Sequence, residues 1–166
     1  MGTEDDDGFR RFVVEQRQSL LRTAYLLTGD HGHAEDLVQT ALLTTYRHWA
    51  RVSERGEPTA YVRKALVNTS TSWRRRLSST EQVIETLPEQ AAAAVPDRDE
   101  EMVRALRELP PRMRAVVVLR YFEDRSEAQT AELLGCSVGT VKTQSSRAMA
   151  RLRELLTPSE REAGRR

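Results

Sequence analysis

Side chains that can hydrogen-bond nucleic-acid bases recur at helical spacing near the C-terminal end of the sequence. They are Thr140, Lys142, Thr143, Gln144, Ser146, Arg147 and Arg151. Amide and guanidinium groups read base edges in the major groove, whereas hydroxyl and ammonium groups more often hold phosphates. We therefore expect Gln144 and Arg147 to read bases, and Thr140 and Lys142 to contact phosphates. The same pattern also fits the solvated face of an ordinary helical hairpin.

The residues before this polar face have the spacing of a helix-turn-helix. Gly135 separates two predicted helices, and a glycine accepts the left-handed backbone that such a turn needs. Ala131, four residues earlier, is small enough to let the helices approach closely, and the branched Val141 anchors the second helix to the first. Ser137 is placed to cap that second helix. This arrangement fits a helix that enters the DNA major groove.

A second group of cations lies in the middle of the chain, where residues 47–77 carry a net charge of +6. Its candidate nucleic-acid contacts are Arg63, Lys64, Arg74, Arg75 and Arg76. Cations close to Tyr61 and Trp73 suit single-stranded or distorted nucleic acid, because bases stack on rings while phosphates are neutralised. Trp73 also shares an apolar stripe with Leu66, so we expect it in the core rather than on a stacking surface.

Residues that could support catalysis or hold a metal are few. A single cysteine, Cys136, excludes an internal disulfide and a cysteine-built zinc site. His31 and His33 have no evident further ligands, so we interpret them as solvated residues at the start of a helix. The sequence shows no nucleophile–base pair and no phosphate-cradling glycine loop. We expect a protein without enzymatic activity and without a cofactor.

The elements that position these residues are predicted to be helices throughout, which gives an all-α fold of two small helical domains. Apolar periodicity and capping residues predict helices over 9–28, 30–49, 58–77, 99–109, 111–122, 126–134 and 137–156. Residues 51–57 lack a period and are predicted to be a loop. The predicted organisation is a disordered acidic start at 1–8, an N-terminal domain at 9–77, a flexible linker at 78–98, a helix-turn-helix domain at 99–156 and a tail at 157–166.

Composition and charge indicate where in the cell the protein works and how its segments could interact. The chain has 166 residues, of which 31% are charged. No run approaches the roughly 18 apolar residues that a membrane-spanning helix needs, so we expect no membrane insertion and a cytoplasmic location. Residues 78–101 carry a net charge of −6, next to the basic middle of the chain. One hypothesis is that this acidic linker lies against the basic helix and masks it.

Five short stretches, in their order and spacing, resemble bacterial sigma factors of the extracytoplasmic-function group. They are residues 34–42, 61–76, 109–112, 119–123 and 139–142, and the resemblance covers about residues 9–156. The acid-rich start and residues 126–137 look similar to an actinobacterial subset. The resemblance implies a two-domain subunit of bacterial RNA polymerase that directs promoter-specific initiation.

The resemblance also implies which residues meet each partner. It places the polymerase clamp helices on Asp36, Leu37, Gln39 and Thr40, and makes the polymerase flap a further contact. It implies that Arg51, Ser53 and Arg55, in the loop that takes an extruded base, join Asn68 and the basic helix in opening the minus-ten element. The helix-turn-helix would read the minus-thirty-five element as duplex, and the protein would be associated with the nucleoid. An anti-sigma factor is left open as another partner.

Two residues depart from the pattern of this family. After Lys142 the family usually has a second basic residue and then a leucine, whereas this chain has Gln144 and Ser145. Promoter preference is therefore not transferable from relatives. Two other interpretations stay open: a free-standing helix-turn-helix regulator with an N-terminal dimerisation domain, and a sigma-like protein that only binds another factor.

Overall fold

The computed structural model describes residues 2–79 and 98–157, with side chains described for residues 2–73 and 100–157. These residues form eight α-helices, one π-helical turn and no strand, which confirms the all-α prediction. The elements are α1 (Thr3–Thr28), α2 (His31–Arg47), α3 (Trp49–Glu54), α4 (Pro58–Ser79), α5 (Arg98–Arg107), α6 (Pro111–Val117), the π-helical turn (Val118–Phe122), α7 (Glu127–Leu134) and α8 (Val138–Leu156). None of the described helices is both long and apolar enough to cross a membrane.

Local capping explains several of the predicted helix boundaries. Gly29 ends α1 in the left-handed conformation at φ 71°, and the Asp30 side chain then accepts a 2.8 Å hydrogen bond from the His33 N–H. At the start of α7, Ser126 and Gln129 cap each other's backbone N–H groups at 3.0 and 2.9 Å. These contacts satisfy donors that have no partner within the helix.

The acidic start is helical and not disordered, so that prediction was wrong. Glu4, Asp5 and Asp6 lie in the first turn of α1, where negative charge is stabilised by the helix dipole. The Tyr46 hydroxyl donates a 3.0 Å hydrogen bond to Asp6, and this bond raises the pKa of Tyr46. The Phe9 ring centroid lies 4.9 Å from that of Tyr46, which ties the start of α1 to α2.

The boundaries of the predicted loop and linker also differ from the structure. The segment 51–57 was predicted as a loop, but α3 continues to Glu54 because Trp49 and Val52 bury their side chains on one side of it. At the other boundary, α4 continues to Ser79 and α5 begins at Arg98. The rest of the predicted linker, and the hypothesis that it masks the basic helix, lie outside the described residues.

The N-terminal half packs α1, α2 and α4 against one another. Leu20, Leu37 and Leu66, one from each helix, are fully buried at their meeting point. Trp73 is half-buried and packs against this core, as its position on the apolar stripe predicts.

The C-terminal half contains the predicted helix-turn-helix. Ala131 of α7 and Val141 of α8 pack with Val116 of α6 in a small apolar cluster, and Val141 is fully buried. Gly135 adopts φ 65° between α7 and α8, and the Ser137 side chain caps α8. The small residue, the glycine and the branched residue therefore act as the sequence indicated.

The two halves share one hydrophobic core, and a buried guanidinium joins them. Leu106 and Leu119 of the C-terminal half belong to the same cluster as Leu20 and Leu66. Arg114 of α6, only 2% exposed, donates to the Leu27 carbonyl at the end of α1 at 2.8 Å. It also donates to the carbonyl oxygens of Leu106, Arg107 and Leu109, at 2.7, 3.0 and 3.0 Å.

Replacing Arg114 with methionine should lower the free energy of unfolding by about 3 kcal/mol, because buried carbonyl oxygens from two helix ends lose their donor. Urea denaturation followed by circular dichroism measures the change. Arg104→Met on the exposed side of α5 is the matched control and should stay within about 0.5 kcal/mol of wild type. Equal stability of the two variants would contradict this role of Arg114.

Alanine should have opposite effects at the two glycines of the helix-turn-helix. Gly135→Ala should destabilise by about 1–2 kcal/mol, because its φ is left-handed although the space around it is open. Gly139→Ala lies inside α8, where the added Cβ would make only an ordinary van der Waals contact with Ser137 Oγ at 3.8 Å; it should stabilise by up to about 1 kcal/mol. Thermal melts of both variants measure the two effects. A change of melting temperature in the same direction in both would contradict the different backbone conformations at the two glycines.

Candidate nucleic-acid interface

The polar face of α8 is free to meet a ligand. Thr140, Lys142, Thr143, Ser146 and Arg147 are all exposed. Arg151 is exposed as well and forms a 3.2 Å surface ion pair with Glu154, a kind of contact that contributes little and is easily exchanged. The structure thus brings most of the predicted duplex-reading residues together on one helix face.

The two residues that depart from the family pattern lie at the edge of this face. Gln144 and Ser145 are both half-buried. The Ser145 hydroxyl lies 3.1 Å from the Tyr121 hydroxyl, so a hydrogen bond takes the place of apolar packing there. Gln144 is therefore partly exposed, and Ser145 has a specific partner.

A shallow open pocket lies beside α8, and the sequence did not predict the residues on the side away from α8. Lys142, Ser145, Ser146 and Met149 line one side, and Arg120, Tyr121 and Glu127 line the other. The Tyr121 ring is 48% exposed, and the Arg120 guanidinium carbon lies 5.8 Å from its centroid. The signal available in the sequence was a tyrosine two residues after the apolar run Val116–Leu119.

The exposed side of α4 carries only part of the predicted basic surface. Lys64 and Asn68, four residues apart, are both exposed and share a face. In and just after α3, Arg51 and Arg55 are exposed, whereas Ser53 is half-buried and donates to the Ala50 carbonyl at 3.2 Å. The side chains of Arg74, Arg75 and Arg76 lie outside the described residues.

Arg63 is not on that surface, which corrects the prediction of a nucleic-acid contact in this structure. It is 8% exposed and lies on the buried side of α4 with Val62, Leu66 and Val67. Its Nη1 atom lies 2.5 Å from Oε2 of Glu123, which follows the π-helical turn of the other half. The helix period explains this position, because Leu66 and Val67 lie three and four residues after Arg63.

The predicted polymerase-contacting residues of α2 divide between surface and core. Asp36 and Gln39 are exposed, and the half-buried Thr40 donates a 2.9 Å hydrogen bond to the Asp36 carbonyl. Leu37 is fully buried, so it supports this surface from beneath and cannot contact a partner. Leu37 is buried because it lies on the apolar stripe of α2.

An apolar groove between α1 and α2 continues the Asp36–Gln39 surface. Gln39 lines it together with Phe9, Val13, Leu42, Leu43 and Tyr46. Leu43 is 52% exposed on a side of α2 that is otherwise polar. The contiguous apolar lining of this groove, rimmed by exposed polar groups, makes it a candidate protein-binding surface.

The histidines near the start of α2 do not form a metal site. The His31 ring stacks on Tyr25, with ring centroids 4.1 Å apart, and His33 Nδ1 lies 3.7 Å from Asp30. Burial, with a contribution from Glu100, raises the pKa of Tyr25. Within residues 2–79 and 98–157, no group of three or more His, Cys, Asp or Glu side chains converges on a metal-sized space.

Comparison with known proteins covers both halves of the chain. The families described as "Sigma-70 region 2" and "Sigma-70, region 4" match residues 12–80 and 99–152. The RNA polymerase sigma-E factor of Streptomyces avermitilis is 40% identical over 89% of this chain and 84% of its own length. The ECF RNA polymerase sigma factor SigM of Mycobacterium tuberculosis is 31% identical over 92% and 79%.

Solved structures agree with this assignment. The sigma factor RpoE of Bartonella quintana, solved in complex with the anti-sigma factor NepR, is 27% identical and has a TM-score of 0.73. The alignment covers 90% of this chain and 96% of that one. Neither matching family is that of an enzyme. With its helix-turn-helix, its all-α fold and its close relatives over nearly the whole length, the chain belongs to the extracytoplasmic-function group of RNA polymerase sigma factors.

Proposed function

We propose that this protein binds RNA polymerase core and reads the minus-thirty-five element through α8, while its N-terminal half opens and holds the minus-ten element. The observation that carries the proposal is the exposed polar face of α8 on a helix-turn-helix held by Ala131 and Val141. Lys142 and Arg147 supply the cations of that face, and Thr140, Thr143 and Ser146 supply hydroxyls. We assign Arg147 to base edges and Lys142 to phosphates.

The proposed surface for the polymerase clamp helices combines Asp36, Gln39 and Thr40 with the apolar groove beside them. Asp36 and Gln39 offer polar contacts that set orientation, and Leu43 offers apolar area that a partner helix can bury. We assign the flap to the C-terminal half.

The proposed minus-ten surface consists of Arg51, Arg55, Lys64 and Asn68, which are all exposed. Extruding a base costs a few kcal/mol, so a pocket for the base and cations that hold the neighbouring phosphates are needed to offset that cost. We assign this surface to a domain over residues 9–77 and the duplex-reading surface to one over 99–156. The two elements lie about two helical turns apart, roughly 70 Å, and we assign the connection between the two surfaces to residues 80–97, between α4 and α5.

The proposed setting is the cytoplasm, in association with the nucleoid, and the protein acts without catalytic chemistry of its own. Its partners are polymerase core and promoter DNA, both duplex and melted. The Bartonella RpoE structure contains an anti-sigma factor, and we include a partner of that class in the proposal.

A reconstituted transcription assay tests this function. The protein is combined with bacterial RNA polymerase core and fragmented genomic DNA, and the 5′ ends of the transcripts are sequenced. We expect discrete start sites that share two spaced upstream elements. The protein without core should bind duplex promoter DNA only weakly.

The control is the same core supplied with another sigma factor of known activity. An active core that gives no specific transcripts with this protein would refute the proposal. Tight, specific binding to duplex DNA in the absence of core would instead favour the free-standing regulator.

Reversing the charge of Asp36 should weaken core binding by about tenfold or more, because an exposed interface charge then faces its partner with the wrong sign. The measurement is the Kd for core, taken from the fluorescence anisotropy of protein labelled at Cys136. Glu35→Arg is the matched control, since Glu35 is the exposed neighbour on α2 and undergoes the same change of charge. Equal affinity of the two variants, or a dimer in solution, would support a dimerisation domain in place of a core-binding surface.

A further inference from the structure

The shallow pocket beside α8 brings two cations and several hydroxyl groups together. Lys142 lines it from α8, and Arg120 lines it from the π-helical turn. The side chains of Tyr121, Ser145 and Ser146 add three hydroxyl groups to the lining. Cations and hydroxyl donors around one opening suit an anion, because hydrogen bonds to a charged acceptor are stronger than those to a neutral one. We call this opening the α8 pocket.

The side chains on the wall away from α8 are already held in position. The Tyr121 hydroxyl lies 3.1 Å from the Ser145 hydroxyl, and the Arg120 guanidinium carbon lies 5.8 Å from the Tyr121 ring centroid. Arg120 Nη1 also donates a 2.5 Å hydrogen bond to the Arg125 carbonyl. Side chains that are fixed before binding lose little conformational entropy when a ligand arrives.

The Tyr121 hydroxyl can still donate to a ligand. Either hydroxyl of the Tyr121–Ser145 pair can be the donor, and each carries one proton. When Ser145 donates, the Tyr121 proton is free for another acceptor. The Tyr121 side chain is 48% exposed, so an acceptor can approach it from solvent.

The α8 pocket opens along one edge of the polar face of α8. Lys142 and Ser146, four residues apart on the helix, are exposed members of that face and also line the pocket. A helix with its side chains is about 10–12 Å across, and the major groove of DNA is about 12 Å wide. Residues at the edge of an inserted helix face therefore meet the sugar-phosphate wall of the groove.

We propose that the α8 pocket binds a backbone phosphate of duplex DNA, to which Tyr121 donates a hydrogen bond while Arg120 and Lys142 neutralise its charge. Ser145 is a positioning residue, because its hydroxyl holds that of Tyr121 beside α8. A phosphate contact carries no sequence information, but it fixes the register of α8 in the groove. This inference deepens and rests on the proposed function, in which α8 enters the major groove of the minus-thirty-five element.

Glu127 gives the proposed site a second, opposite signature. This half-buried residue of the first turn of α7 also lines the α8 pocket. Its carboxylate repels a phosphate, so it lowers the affinity of the pocket for DNA. A phosphate site therefore requires that removing the Tyr121 hydroxyl weakens binding and that neutralising Glu127 strengthens it.

The first test removes only the Tyr121 hydroxyl. Fluorescence anisotropy at low salt measures the affinity of the full-length protein for two fluorescein-labelled duplexes of unrelated sequence, because phosphate contacts dominate such non-specific binding. Tyr121→Phe should weaken binding to both duplexes by about fivefold. The slope of log affinity against log salt should not change, since a tyrosine releases no counterion. Tyr25→Phe, which removes a hydroxyl from α1 outside every proposed nucleic-acid surface, is the control and should bind like wild type.

The second test neutralises the carboxylate of the pocket. Glu127→Gln should raise the affinity for both duplexes by about threefold, because the repulsion of the phosphate is removed. Glu132→Gln is the matched control, since Glu132 is an exposed residue of the same helix that does not line the pocket. It should raise the affinity less, because it changes only the general charge of the protein.

The third test separates the positioning role of Ser145 from a structural one. Ser145→Ala should weaken duplex binding by about twofold in the wild-type protein and have no further effect in the Tyr121→Phe protein, because both changes act through the same hydroxyl. Equal losses in the two backgrounds would contradict the positioning role. Thermal melts followed by circular dichroism check that each variant keeps its helices.

Three results would overturn the phosphate site. One is a Tyr121→Phe protein that binds like Tyr25→Phe, and another is a loss confined to one of the two duplexes, which would assign Tyr121 to base reading. The third is a Glu127→Gln protein whose affinity does not exceed that of Glu132→Gln. These measurements contain no polymerase, so failure of the proposed function is recognised separately, as absence of promoter-specific transcripts with active core.

Discussion

The buried guanidinium of Arg114 holds together the carbonyl ends of two helices that come from opposite halves of the chain. Hydrogen bonds to the carbonyl oxygens of Leu27 and Leu106 fix where α1 and α5 end relative to each other. Carbonyl groups at helix ends have no partner within the helix, so a cationic donor with several N–H groups satisfies them well. The shared core and the contact between Arg63 and Glu123 lie on the same side of the C-terminal half, which this placement turns towards α1 and α4.

This arrangement separates two kinds of surface. The polar face of α8 and the Asp36–Gln39 surface point to solvent, so the elements proposed to meet duplex DNA and polymerase are accessible when the halves are packed together. The basic side chain of Arg63 is enclosed between the halves instead. The molecule therefore has two exposed surfaces for partners and one enclosed cation. This arrangement fits a protein that binds its partners one after another.

The hydrogen bond of Ser145 also follows from the tertiary structure. Ser145 lies where the resemblance implies a leucine, and its hydroxyl lies 3.1 Å from the Tyr121 hydroxyl. Tyr121 is exposed and Ser145 is only half-buried, so water can also satisfy the serine hydroxyl and a polar residue is tolerated there. The π-helical turn that carries Tyr121 also presents Glu123 to Arg63.

The sequence by itself determined the features that depend on neighbours along the chain. The helical period, the caps at Asp30 and Ser126, and the left-handed Gly135 are local, so the fold class and the helix-turn-helix could be predicted from them. The order of the acidic start and the pairing of Arg63 with Glu123 were decided by tertiary structure. Each depends on groups far apart in sequence, and residue type alone does not indicate whether a cation meets solvent, phosphate or a carboxylate of its own chain.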